Sequence, residues 1–193
     1  HWIRRHTWLP KSIDEMSEDY RVFTPVVRGD RVIVSLQGVR TVCCLHLTTG
    51  RRIWERPLAD LRGVMTVSGS RVLVDTASGV AAFSLDDGSQ VWTRPLDIPL
   101  EAFHAAADSV VLSYREKGSP AKTKPILMWL DLNTGRELAQ SRVEGAEKDE
   151  SQLGPLLFAS GRWWTFSGQG WKDPKRELNE LVKVPPLVPG PFE

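Results

Sequence analysis

The sequence is short of several things. It has two cysteines in 193 residues, too few for a disulfide framework, so cysteine usage says little about compartment. Lys plus Arg (25) nearly cancels Asp plus Glu (24), and a formal net charge of +1 gives no reason to expect nucleic acid or an anionic membrane as the main partner. No apolar run approaches the roughly 18 residues that a transmembrane helix needs, so no transmembrane segment is expected. The opening residues, "HWIRRHTWLPKSIDEM", lack the apolar core of a secretory signal and do not begin with Met. The chain is therefore expected to be a processed product or a piece of something longer. Its four histidines (His1, His6, His46, His104) show no metal-ligand spacing. No Gly-x-Ser-x-Gly elbow, phosphate loop or dinucleotide fingerprint occurs. No catalytic residue, cofactor or metal is expected.

What the sequence does have is a repeat. Turn glycines stand at Gly50, Gly88 and Gly135, with Trp54 and Trp92 four residues after the first two and Ala139 at the third place, which reads as a decayed copy. "WERPL" (54–58) and "WTRPL" (92–96) are nearly one segment. A second element recurs upstream as "GDRVIVSL" (29–36), "GSRVLVDT" (69–76), "ADSVVLSY" (107–114) and "SGRWWTFS" (160–167). Gly50 to Val72 and Gly88 to Val110 are both 22 residues, so that part of the unit is rigid. The glycine spacings of 38 and 47 differ by nine residues, all of them located in the loop "EKGSPAKTK" (116–124). Each unit holds four short runs of Val, Leu, Ile and aromatic residues; in the second they fall near 62–67, 71–76, 80–85 and 90–93. Gly-Asp, Ser-Gly-Ser, Asp-Asp-Gly and Asn-Thr-Gly between them suit tight hairpins. Four antiparallel strands in about 40 residues, repeated, describe β-propeller blades. The expected fold is all-β, with about three and a half blades over 22–168, a segment 1–21 before them and a region 169–193 after them.

"LHLTTGRRIWERPL", "FSLDDGSQVWTRPL" and "WLDLNTGRELAQ" resemble the quinoprotein-type (PQQ-like) propeller repeat, roughly Ala-Leu-Asp-x-x-Thr-Gly-x-x-x-Trp. The resemblance covers about residues 22–167. It implies a propeller of about eight blades, of which this chain would be the C-terminal part. The same repeat builds pyrroloquinoline-quinone dehydrogenases, outer-membrane assembly lipoproteins and sensor domains of kinases. The structural residues it marks are Gly50, Trp54, Gly88, Trp92 and Gly135. A blade cannot bury both faces alone, so a large flat ring at one place in each blade is expected to fill the gap to its neighbour.

The resemblance raises a question about Cys43 and Cys44, because quinone-dependent alcohol dehydrogenases carry an adjacent pair whose disulfide packs on the cofactor. Here the pair sits inside the strand that leads to the Thr-Gly turn. Successive strand side chains point to opposite faces, so the sulfurs are expected to diverge and serve as buried wall material. The Asp86–Asp87 pair occupies the same hairpin as "TTG" and "NTG", which points to an Asx-type turn rather than a calcium site. Trp163 and Trp164 align with the second-strand core of the other units and read as packing, with an exposed aromatic platform as the alternative.

In a four-stranded blade the first-to-second and third-to-fourth turns share one face, and the second-to-third loops and blade connections share the other. The departures from the repeat fall on that second face. They are the loop 116–124, with Lys117, Lys122 and Lys124, and the connection 143–152, with Glu144, Glu147, Asp149 and Glu150. They are either partner-binding loops or simply solvated ones. At the ends, the basic and aromatic start (Trp2, Arg4, Arg5, His6, Trp8, Lys11) either supplies a strand of a preceding blade or is a linker. "DPKRELNELVK" (173–183) reads as a short helix with Asp173 as N-cap, Pro174 at the first helical position and Leu178, Leu181 and Val182 on one face. The Pro-rich tail should be extended.

These readings converge on a non-catalytic propeller scaffold that mediates protein–protein interaction in a bacterial cell-envelope assembly. The extracytoplasmic location follows from the resemblance alone. The expected partner is another protein, or the remaining blades of the same propeller. The alternatives are the C-terminal part of a quinone-dependent dehydrogenase and a ligand-sensing domain of a kinase.

Overall fold

The computed structural model describes residues 25–36, 39–96, 98, 100–105, 108–115 and 125–142, together with strands over 156–159, 162–167 and 177–180. Every element among them is a β-strand apart from turns. The first sheet is β1 (Val26–Arg28), β2 (Arg31–Leu36), β3 (Thr41–His46) and β4 (Arg52–Pro57). The second is β5 (Leu61–Ser68), β6 (Arg71–Thr76), β7 (Gly79–Ser84) and β8 (Gln90–Pro95). The third is β9 (Ala102–Ala105), β10 (Ser109–Arg115), β11 (Pro125–Asp131) and β12 (Glu137–Arg142). Each is a four-stranded antiparallel meander in chain order, which is the blade that the repeat predicts.

The fourth sheet holds β13 (Leu156–Ala159), β14 (Arg162–Ser167) and β15 (Glu177–Glu180). This corrects the sequence reading at one point: where a helix over 173–183 is expected, Glu177–Glu180 form a strand, paired antiparallel with β14 from Ser167↔Glu177 to Trp164↔Glu180. An isolated eleven-residue helix is marginal in water. The unpaired N–H and C=O groups on the open side of β14 are satisfied by a ladder that outweighs a weak helical preference. The side chains of Trp163 and Trp164 lie outside the described residues, as do the N-terminal segment and the Pro-rich tail.

The chain divides into two compact units, residues 1–97 with the first two blades and residues 98–193 with the third blade and the fourth sheet. Within the first unit, Ile33, Val42, Cys44 and Trp54 of blade one pack with Leu61, Val64, Val72, Val74, Ala81, Phe83 and Leu85 of blade two in one buried cluster. Most positions of the second and third strands are buried, β2 less so than the others, so they read as nearly continuous apolar runs. The fourth strands β4 and β8 are mostly exposed; Trp54 and Trp92 are the buried exceptions in them.

One irregularity recurs in all three blades. The pairing of third and fourth strands slips by one residue between Cys44 and Leu45, between Ala82 and Phe83, and between Trp129 and Leu130. A bulge at that place bends the outer strand and re-aims the residue beyond it. That residue is Trp54, Trp92 or Ala139, paired with Cys44, Ala82 and Trp129 respectively. Each pair joins one tryptophan to one small residue. In blade three the ring stands on the neighbouring strand: Trp129 is paired with Ala139 and is 1% exposed.

Candidate functional site: the blade joint and the two blade faces

The turn between third and fourth strands is built identically three times. Gly50 N donates to His46 O (2.8 Å), Gly88 N to Ser84 O (2.9 Å) and Gly135 N to Asp131 O (2.9 Å). The three glycines have φ of +66°, +69° and +69°, a region that side chains disfavour. The residue that opens each turn also caps it. Asp131 Oδ1 accepts bonds from Thr134 N (2.7 Å), Thr134 Oγ1 (2.7 Å) and Asn133 N (3.0 Å). Ser84 Oγ accepts from Asp86 N (3.2 Å), and His46 Nδ1 accepts from Thr49 N (3.4 Å). Asp87 accepts from Ser89 N and Ser89 Oγ at 2.9 and 2.8 Å, so the Asp-Asp-Gly stretch is an Asx-type turn.

These bonds hold carboxylates in the ionised form. Hydrogen bonds from Ser89 pull Asp87 down to about 2, the Thr134 hydroxyl lowers Asp131, and the Ser78 hydroxyl lowers Asp60. Each carboxyl then binds its proton more weakly folded than unfolded, where Asp titrates near ~3.9. Stability is fully present above that value and falls as pH drops through the lower folded values. Melting temperature should therefore fall between about pH 4 and pH 2. Asp131→Asn, which keeps an acceptor and removes the charge, should lower the melting temperature at pH 5 by more than at pH 2.5. An equal loss at both would show that the charge on Asp131 contributes nothing.

The joint in the first unit explains the Gly-x3-Trp motif. Trp54 Nε1 donates to Leu85 O of the next blade's turn (2.9 Å, buried), and Arg56 Nε donates to Gly88 O (2.6 Å). Arg31 Nη1 donates to the same Leu85 carbonyl and lies 3.0 Å from Asp86 Oδ1. A Cβ on Gly88 would come within 2.6 Å of the Trp54 ring. The motif's glycine thus serves two neighbours: it permits the turn's positive φ and leaves room for the previous blade's indole. Sequence reasoning placed the ring in the gap but missed Arg31 and Arg56. Their signal was present in "GDRV"/"GSRV" and "WERP"/"WTRP", which repeat the arginines along with the better-known positions.

Hydrogen bonds also define two faces in each blade. On the first, Leu47 N, Leu85 N and Leu132 N donate to Asp30 O, Ser70 O and Asp108 O, tying the two hairpin turns of a blade together. On the second, Leu58 N donates to Arg40 O, Ala77 N to Asp60 O and Leu96 N to Ser78 O, tying blade connections to second-to-third loops. In blade three the equivalent place carries a partly buried ion pair, Arg115 Nε to Glu101 Oε1 at 2.8 Å, with Glu101 N donating to Ser113 O. Arg115 and Pro125 are paired and bracket the loop 116–124, whose base is therefore on the second face. Lys117, Lys122, Lys124, Glu144, Glu147, Asp149 and Glu150 themselves lie outside the described residues.

Cys43 and Cys44 occupy β3, both buried as thiols, with Cys44 between Ile33 and Trp54 in the ladder. Burial pushes the Cys44 thiol up to about 11, which leaves it a poor nucleophile and metal ligand. Among the described residues no group of His, Cys, Asp and Glu could hold a metal ion, and no helix is long and apolar enough to cross a membrane.

Against known proteins, residues 7–170 match the family described as "Outer membrane protein assembly factor BamB". The assembly factor of that name from Salmonella typhimurium is 28% identical over 138 residues, which is 71% of this chain and 33% of the relative. The chain thus spans about a third of that relative's length. Among solved structures, BamB from Moraxella catarrhalis superposes with a TM-score of 0.55 at 19% identity, over 73% of this chain and 42% of that one. The quinohemoprotein alcohol dehydrogenase from Comamonas testosteroni gives 0.54 at 18% identity, over 74% and 28%. At these identities the structural likeness is one of fold, the PQQ-repeat β-propeller. The match across most of its length carries the further conclusion: the chain belongs to the family of the outer membrane protein assembly factor BamB.

Proposed function

We propose that this chain is a non-catalytic propeller scaffold that binds a protein partner in outer-membrane assembly and works on the extracytoplasmic side of a bacterial envelope. The observation that carries the reading is the family match over residues 7–170, whose relatives are named as outer membrane protein assembly factors. The buried, strand-bound cysteines favour it over a quinone-dependent dehydrogenase, which would need the pair as a cofactor-facing disulfide.

The partner-binding surface is the second blade face around loop 116–124 and connection 143–152. The loop carries three lysines against one glutamate and suits an acidic patch on the partner; the connection carries Glu144, Glu147, Asp149 and Glu150 and suits a basic one. The test is co-isolation of the chain from its own envelope with its bound proteins quantified. Lys122→Glu should weaken the association several-fold at low salt and by little once ~0.5 M salt screens the contact. Association unchanged by the substitution at low salt would remove the loop from the binding surface. A quinone absorbance that co-purifies with the chain would overturn the non-catalytic reading.

A further inference from the structure

Blades one and two present the same three residues at corresponding places: Arg31, Trp54 and Arg56 in the first, Arg71, Trp92 and Arg94 in the second. The turns of blades one, two and three are likewise bonded alike through their backbones. Repeats this similar are prone to pair in the wrong order while folding. Backbone geometry at the turns cannot distinguish one from another; the short connection 58–60 favours the adjacent blade, and side chains can add to that preference.

The second residue of the turn differs in charge. It is Thr48 in blade one, Asp86 in blade two and Asn133 in blade three. Asp86 Oδ1 stands 3.0 Å from Arg31 Nη1, the nitrogen that also donates to Leu85 O. Behind the guanidinium, Asp30 Oδ1 lies 3.8 Å from Arg31 Nε. Arg31 is therefore held between a carboxylate of its own blade and one of the next. Arg71 has Ser70 where Arg31 has Asp30, and its Nη1 donates back to Ser70 Oγ at 2.8 Å. One residue type at one repeat position thus makes different contacts in the two blades.

We propose that the Arg31–Asp86 pair is a blade-order key: it makes blade one accept the Asp-Asp-Gly turn of blade two in preference to the Asn-Thr-Gly turn of blade three. It acts through charge complementarity between otherwise equivalent surfaces, as paired charges set partner choice elsewhere. Asp86 is 76% exposed on its side chain, so the pair adds little to the stability of the finished fold.

Moving the key tests this. The full chain is refolded from denaturant at low salt, and the recovered soluble folded fraction is measured for two variants. Asp86→Thr removes the key. Asp86→Thr with Asn133→Asp places the carboxylate on the wrong turn, by an isosteric change that leaves the turn's own acceptor in place. The relocated key should lower the folded fraction at least about twofold below Asp86→Thr alone, and ~0.5 M salt should erase the difference. Equal recovery of the two variants at low salt overturns the proposal. So does a deficit that persists in high salt, which would assign the effect to the turn at Asn133 and not to charge.

Discussion

Trp54→Ala removes about 3–5 kcal/mol of stability and leaves little of the first unit folded. Three separate losses combine in this one change. The indole is 7% exposed and packs in the cluster between the first two blades, so truncation opens a cavity bounded by residues held in their ladders. Its Nε1 leaves Leu85 O, which keeps the Arg31 guanidinium as a donor across the joint. Gly88, which comes close to the ring because it has no side chain, gains nothing to fill the space. Trp54→Phe separates these contributions. It keeps most of the ring and loses the hydrogen bond, and should cost less than half as much as Trp54→Ala. Urea unfolding of the three proteins measures this. A Trp54→Ala loss below about 1 kcal/mol would contradict the joint as described.

The second large effect concerns the ring on the third strand of blade three. Trp129→Ala should cost about 3–5 kcal/mol, because it leaves alanine facing alanine at a position where each other blade places one indole against one small residue. Adding Ala139→Trp to that variant recreates the Ala82–Trp92 arrangement of blade two. The double variant should regain at least about half the loss, a coupling of 1–3 kcal/mol, as expected for side chains in direct contact. Denaturant midpoints decide it. A double variant less stable than Trp129→Ala would mean that the two strands are not interchangeable seats for the ring.

Much of the architecture was legible because the features that build it repeat. Four apolar runs between Gly- and Asp-rich turns placed the strands of blade two almost where they lie, and the turn glycines were marked by spacing alone. Placement of Cys43 and Cys44 followed from strand alternation, which needs no tertiary knowledge. Two things were not legible, each for a physical reason. Ala139 looked like decay because a one-dimensional repeat cannot show that Trp129, ten residues earlier, faces it across a bulge. The stretch 173–183 carries an N-cap and apolar spacing, but local preference for a helix is weak beside the open hydrogen-bonding edge of β14. Arg31 and Arg56 lay between these cases: their recurrence was visible, and their reach into the next blade was not.

The candidate partner surface rests on a different kind of argument. Hydrogen bonds place the base of loop 116–124 on the second face, and the Glu101–Arg115 pair anchors it there. The lysines and glutamates that would meet a partner belong to the irregular stretches, where repetition gives no guidance.

The most direct measurement is the mass of the particle that contains this chain when it is extracted from its own envelope, by light scattering, with its components identified by mass spectrometry. The scaffold account predicts a particle well above 21.7 kDa that contains an outer-membrane assembly protein alongside the chain. A 21.7 kDa particle holding the chain alone would contradict it.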